Sequence, residues 1–262
     1  MNFKSYFFLI FISFNCFSQS LADYIRIAVD KEAIGEYEIS LKSWDKSIEI
    51  DTTDCGWLYF RRAVVKWRIK DLKGVIEDNL YAIDRNLDCD LNLSDDFDVG
   101  YGEGAIDMPS KRSLLFEVAK FQIRIEDYSN AMINLNKLIN DKTEFIELWN
   151  VFMERGHLKS LLNDYRHAIS DFDLALKHNS KATIIYSHRG YCKLNLEDYL
   201  GAINDYTKAI QGNPNNSPNA YYNRGLARIY SKQIELGCKD LSKAGEQGDL
   251  DAYEIIKEHC ID

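Results

Sequence analysis

The chain repeats itself, and that limits its fold more than any other property. The stretch YSHRGYCKLNLEDYLGAINDYTKAIQGNP runs from Tyr186 to Pro214. About 34 residues earlier stands FMERGHLKSLLNDYRHAISDFDLALKHNS, from Phe152 to Ser180. About 35 residues later stands YYNRGLARIYSKQIELGCKDLSKAGEQGD, from Tyr221 to Asp249. A further copy, YFRRAVVKWRIKDLKGVIEDNLYAIDRN, starts at Tyr59, and two divergent ones start near Tyr24 and Leu115. A fixed period of this size marks an array in which each unit buries its apolar face by stacking on its neighbours. The 262 residues include only three prolines, where average usage gives roughly thirteen. Long helices can therefore run unbroken. With 46% hydrophobic residues the chain is not a disordered one. A net charge of −9 argues against nucleic acid as a partner, since phosphate binding needs clustered Lys and Arg.

Aligned on the period, the copies span 21–54, 56–89, 112–145, 149–182, 183–216 and 218–251. Position 8 carries Ala28, Ala63, Ala119, Gly156, Gly190 and Gly225. Position 20 carries Ser40, Val75, Ala131, Ala168, Ala202 and Gly237, and position 27 carries Ser47, Ala82, Leu138, Ala175, Ala209 and Ala244. Position 24 is aromatic in three copies, at Trp44, Phe172 and Tyr206. This resembles the tetratricopeptide repeat (TPR) family over nearly the whole chain after its first twenty residues. The fifth copy fits the pattern best and the third least. The resemblance implies an all-α fold, a right-handed α-solenoid of six helix–turn–helix repeats, with residues 252–262 as a capping helix. Small residues at 8, 20 and 27 would let the two helices of each hairpin approach closely. An acid recurs where the second helix should begin, at Glu36, Asp71, Asp127, Asp164 and Asp198. There it suits the orphan amides and the positive end of the helix dipole.

A second recurrence needs no family. Position 7 is Arg62, Arg155, Arg189 and Arg224 in copies two, four, five and six, and position 23 in the same copies is Asp78, Asp171, Asp205 and Asp240. Copies one and three lack both, with Ile27 and Ser43, then Val118 and Asn134. Joint presence and joint absence predict an Arg–Asp pair inside each hairpin, where a guanidinium can meet a carboxylate with two hydrogen bonds. The other reading is a ladder of anion-binding arginines.

Residues 1–18, MNFKSYFFLIFISFNCFS, read as a secretory signal peptide similar to those of exported bacterial proteins. Lys4 precedes an apolar run, and small Cys16 and Ser18 precede a cut before Gln19. Acylation of Cys16 is the alternative reading. The run is too short to cross a bilayer, and no later stretch is longer. Localisation is therefore expected to be exported, in the periplasm, at the outer membrane or secreted. Export permits disulfides. Cys55 and Cys89 fall at the start and end of the second hairpin, where antiparallel helices bring them together. Cys238 lies early in the last second helix, and Cys260 ends the capping helix that should run antiparallel to it. Both pairs are disulfide candidates against the alternative of buried free thiols, and Cys192 is left unpaired. Residues 90–110 hold six acids, no base and three glycines. They read as an inserted acidic loop. Its opening alternates like a calcium loop at Asp88, Asp90 and Asn92, but Leu93 and Val99 stand where glycine and glutamate are needed.

No nucleophile motif, phosphate loop, zinc motif or dinucleotide turn is present. Neither an enzyme nor a cofactor is expected. The resemblance implies a concave groove lined by the first helices, and position by position it selects Trp57, Phe60, Trp67, Arg68, Phe116, Lys120, Arg124, Tyr191 and Tyr222. An aromatic groove with Arg68, Lys120 and Arg124 suits an extended peptide with apolar side chains and a carboxylate. Packing of these aromatics between repeats is the alternative. The expected function is a non-catalytic protein–protein interaction module or scaffold, or else a structural part of a cell-envelope or secretion assembly.

Overall fold

Every hairpin turn solves the same problem: ending one helix and starting the next within three residues. The computed structural model describes residues 20–85, 87, 109–141, 148–214 and 217–260. Among them are thirteen helices and no strand. They are α1 (Leu21–Ala33), α2 (Tyr37–Ile50), α3 (Gly56–Arg68), α4 (Leu72–Asp84), α5 (Lys111–Arg124), α6 (Tyr128–Asn140) and α7 (Leu148–Leu161). There follow α8 (Tyr165–His178), α9 (Thr183–Asn195), α10 (Tyr199–Gly212), α11 (Pro218–Tyr230), α12 (Ile234–Glu246) and α13 (Asp251–His259). In each of the six turns the residue at position 15 has positive φ: Gly35, Lys70, Glu126, Asn163, Glu197 and Lys232, at 60–79°. Its amide donates to the carbonyl at position 12, and the next amide reaches back to position 11, as in Asp198 N–H to Lys193 O at 2.9 Å. This 6→1 and 5→2 pairing is a Schellman ending, repeated six times.

Position 16 then starts the second helix. The carboxylates of Asp71, Asp127, Asp164 and Asp198 each accept the backbone N–H three residues on. Glu36, expected in the same role, makes no side-chain cap. Its extra methylene takes the carboxylate past the amides, and it pairs with Lys31 at 2.8 Å instead.

The small positions do what close approach requires. Every residue at positions 8, 20 and 27 is buried. A Cβ on Gly237 would lie 2.8 Å from the Gly225 carbonyl oxygen, so α11 and α12 meet backbone to backbone. A Cβ on Gly156 would lie 2.8 Å from the Phe172 ring, so the large residue at position 24 of α8 occupies the space this glycine leaves.

The chain divides into two compact units, Met1–Val118 and Ala119–Asp262, with the division inside α5. In the first unit α1 packs on α2, α2 on α3 and α3 on α4. Its core gathers Ile25, Ala28, Trp44, Leu58 and Val65. In the second unit each helix from α6 to α13 packs on the next, and α7, α9 and α11 also touch in succession. Its cores centre on Phe172 and Ile185, then on Tyr206 and Ala227, then on Leu241 and Ile229. Each unit is thus made of stacked helix pairs, the construction of an α-solenoid. The inserted segment 90–110 and the leader 1–18 lie outside the described residues, except Pro109 and Ser110.

Candidate partner-binding surface

The first helix of each pair carries two separate stripes, and the buried one decides what the other is free to do. The expected Arg–Asp pair is present in all four hairpins. Arg189 Nε and Nη2 donate to the two carboxylate oxygens of Asp205 at 2.8 and 2.6 Å. Arg62 meets Asp78, Arg155 meets Asp171 and Arg224 meets Asp240 in the same fork. Each aspartate is buried. Three further partners complete the arrangement. One turn along the first helix, Lys66, Lys159, Lys193 or Arg228 binds the same carboxylate at 2.6–2.9 Å. The remaining guanidinium nitrogen, Nη1, crosses to the preceding second helix, onto Asp45, Asn136, Asp173 or Thr207. An aromatic one turn before the arginine, Tyr59, Phe152, Tyr186 or Tyr221, lies under it at 5.4–5.7 Å.

Burial disfavours the charge on Arg62 and Arg189, but hydrogen bonds and charge from Asp78 and Asp205, with Asp45 and Asp173, outweigh it and push both guanidiniums up. Arg228 goes the other way. Its burial, with Arg224 beside it, outweighs the one shared carboxylate of Asp240. The third repeat has a neutral version between positions 23 and 11: Asn134 Nδ2 donates to Gln122 Oε1 at 2.8 Å.

The ladder therefore uses up positions 7 and 11, and the residues chosen from the family pattern divide into two groups. In the first unit, Trp57 packs edge-on against Trp44 at 5.7 Å, and Arg61 stacks over both indoles. Phe60 packs against Ala82, Leu87 and Leu114. These two are largely core. Trp67 is different: it is 46% exposed, and the Arg68 guanidinium lies 5.2 Å over its ring. Phe116 is half-buried in α5.

In the second unit Lys120 is half-buried and Arg124 is exposed, its guanidinium over Phe121. Tyr191 is 44% exposed and meets Tyr165 edge-on at 6.2 Å. Tyr230, at position 13, is exposed in the same way against Tyr199. Tyr222 packs partly buried on the Ile229–Leu241 core near α13. Burial, with Asp249 and Asp251, raises its phenol.

Two titratable groups of the second unit, half-buried His188 and buried Cys192, are held toward their neutral forms. His188 stacks on Phe172 and faces His157, with ring centroids 5.8 and 5.3 Å away. Burial, and then His157, lower its imidazole to about 4. Cys192 is a buried free thiol that burial pushes up, against a hydrogen bond from Ser160. Among the described residues no three His, Cys, Asp or Glu side chains converge on a metal position. No described helix is long and apolar enough to cross a membrane. The Cys238–Cys260 disulfide is formed. Cys55 is also disulfide-bonded. Cys89, its partner in the sequence reading, lies outside the described residues, as does the calcium-like run beginning at Asp88.

Residues 184–216, the repeat nearest the family pattern, match the family model for the tetratricopeptide repeat. No curated protein matches it in sequence. Among solved structures it is similar to YrrB, described as a TPR protein with an unusual peptide-binding site. The identity is 18%, over 82% of this chain and 97% of that one, with a TM-score of 0.58. It is similar to pilF of Pseudomonas aeruginosa at 16% identity, over 91% and 97% of the two chains, with a TM-score of 0.62. A TPR repeat-containing protein from Cytophaga hutchinsonii gives 14%, 85%, 78% and a TM-score of 0.60. At these identities the likeness is one of fold, and with the family match it supports a tetratricopeptide-repeat reading of the array.

Proposed function

We propose that this chain is an exported, non-catalytic interaction module that binds a peptide or protein on the exposed stripe of its first helices. The observation that carries the reading is Trp67. A tryptophan 46% exposed, with an arginine stacked over it, presents a large rigid apolar face and a paired cation on one helix surface. Trp and Arg in that setting are the residue types that dominate binding energy at protein interfaces. Tyr191 and Arg124 offer the same types in the second unit. YrrB, a structural neighbour, is described as holding a peptide-binding site, which fits a peptide ligand for this scaffold.

The test is capture from cell-envelope fractions, followed by titration of each captured partner. Trp67→Ala and Arg124→Glu are each expected to weaken a genuine partner about tenfold or more. Unchanged affinity of every captured partner for the combined variant refutes the reading.

A further inference from the structure

α13, which buries the fewest residues of the described helices, is tied down at its end by a covalent bond. α13 has nine residues and only Ala252 among them is buried. By contrast α9 buries Ile185, Gly190 and Cys192, and α11 buries Ala220, Gly225, Ala227 and Ile229. Tyr253, Glu254, Lys257 and Glu258 of α13 face solvent. Ile255 and Ile256 are half-buried against Leu241 and Ala244 of α12. A helix this short is marginal by itself in water. Its contact with α12 is close at one point, where a Cβ on Gly245 would lie 2.7 Å from the Tyr253 ring. Gly248, with φ of +99°, turns the chain into it. The Cys238–Cys260 bridge then fastens its far end. Both cysteines are half-buried, neither fully enclosed.

We propose that Cys238–Cys260 is a redox latch, and that its reduction by a dithiol releases α13 from the last repeat. One thiolate of the dithiol attacks a bridge sulfur, the S–S bond breaks, and the other cysteine leaves as a thiolate that takes up a proton. The second thiol of the reductant then resolves the mixed disulfide. The bridge gains two electrons and two protons, and the dithiol becomes a cyclic or intramolecular disulfide. Release uncovers Leu241 and Ala244 on α12 and frees one side of Tyr222, which packs on this same cluster. The latch stands without the partner-binding reading. If both hold, reduction alters the C-terminal end of the exposed stripe.

The experiment uses the full chain, with dithiothreitol as the dithiol. Reduction of Cys238 and Cys260 in the folded protein is followed by alkylation and peptide mass, and hydrogen exchange is measured across α9 to α13. A second sample, oxidised Cys238→Ser/Cys260→Ser, removes this bridge and keeps the one at Cys55. Amides of α13 are expected to exchange roughly 100-fold faster in both samples, a factor set by opening a loop closed across 22 residues. Protection in α9 to α12 should be unchanged. Three results overturn the proposal. α13 stays protected without the bridge, so packing alone holds it. Protection in α11 and α12 falls together with α13, so the bridge is a staple of the whole repeat. The sulfurs resist the dithiol until the repeat unfolds, so no latch operates in the native state.

Discussion

Asp205→Asn is the sharpest way to test the buried ladder, because the chain contains its own neutral control. Asp205 is fully buried, and its two oxygens take Arg189 Nε, Arg189 Nη2 and Lys193 Nζ at 2.6–2.8 Å. An amide of the same shape keeps one acceptor and turns an NH2 toward two cations. Removing one partner of a buried charge pair costs about 3–5 kcal/mol. Arg189 keeps Asp173, and both cations retain a little exposure, so the lower end, about 3 kcal/mol, applies. The third repeat shows how the same space is filled without charge, by Val118, Gln122 and Asn134. Building that set into the fifth repeat as Arg189→Val, Lys193→Gln and Asp205→Asn removes the orphaned cations together with the carboxylate. Replacing a whole buried ion cluster is close to neutral. The triple variant is therefore expected to recover at least about 2 kcal/mol of the single variant's loss. Urea unfolding gives the totals. Since arrays open locally, exchange protection in α9 and α10 is the direct readout. If the single variant costs under about 1 kcal/mol, or the triple is no more stable than the single, the ladder is not what holds the hairpin.

Four smaller predictions follow from the same geometry. The His188 imidazole sits near 4 when folded and 6.5 when free, so the unfolded chain binds the extra proton between those values. Stability is full above about 6.5, falls by about 3 kcal/mol as pH drops toward 4, and His188→Gln should flatten that part of a urea-midpoint profile. Lys232→Gly relieves a side chain held at φ of 67° and should raise stability by up to about 1 kcal/mol by urea unfolding. Asp198→Ala deletes a cap on the Gly201 amide and should cost about 1 kcal/mol by the same measure. Glu36→Ala should cost much less than Asp198→Ala, because Glu36 makes no cap hydrogen bond and only an ion pair with Lys31 that both side chains leave partly exposed.

The repeat and its small positions were legible in the sequence because close helix approach tolerates only a few residue types. The Arg–Asp pairs were legible because the two residues come and go together. Pairing position 23 across neighbours would have set Ser43 against Arg62, which disfavoured it against the pair within the hairpin. The cross-helix bond falls two residues further on, to Asp45. Lysine one turn after each arginine was in plain view, yet a lysine on a helix has so many solvated uses that its recurrence said little. The positive-φ turn was hidden for a similar reason: five of its six residues are not glycine, so the turn is set by the hydrogen bonds on either side. The groove was the least legible part. Trp57 and Trp67 lie in the same helix and were selected by the same rule, but one packs on Trp44 and the other faces solvent. A family position fixes a direction around the helix, while burial depends on what the neighbouring pair places there.

That separation has a consequence for how such a chain can change. Positions 4, 7 and 11 of each ladder-bearing first helix lie on one stripe, spaced by a turn, and are committed to their own hairpin and the one before. Position 13 points away from that stripe, is exposed in all six repeats, and holds Ala33, Arg68, Arg124, Leu161, Asn195 and Tyr230. Substitution there removes no buried charge and opens no cavity behind a small residue, so its cost to the fold stays within the range of ordinary surface changes. A partner's demands can be met on one stripe without weakening the other. Specificity in this chain is therefore expected to reside in residues that vary from repeat to repeat, and stability in those that do not. Scrambling position 13 among the repeats should weaken partner binding while leaving the urea midpoint nearly unchanged. Loss of folding in such a scramble would show that the two stripes are coupled.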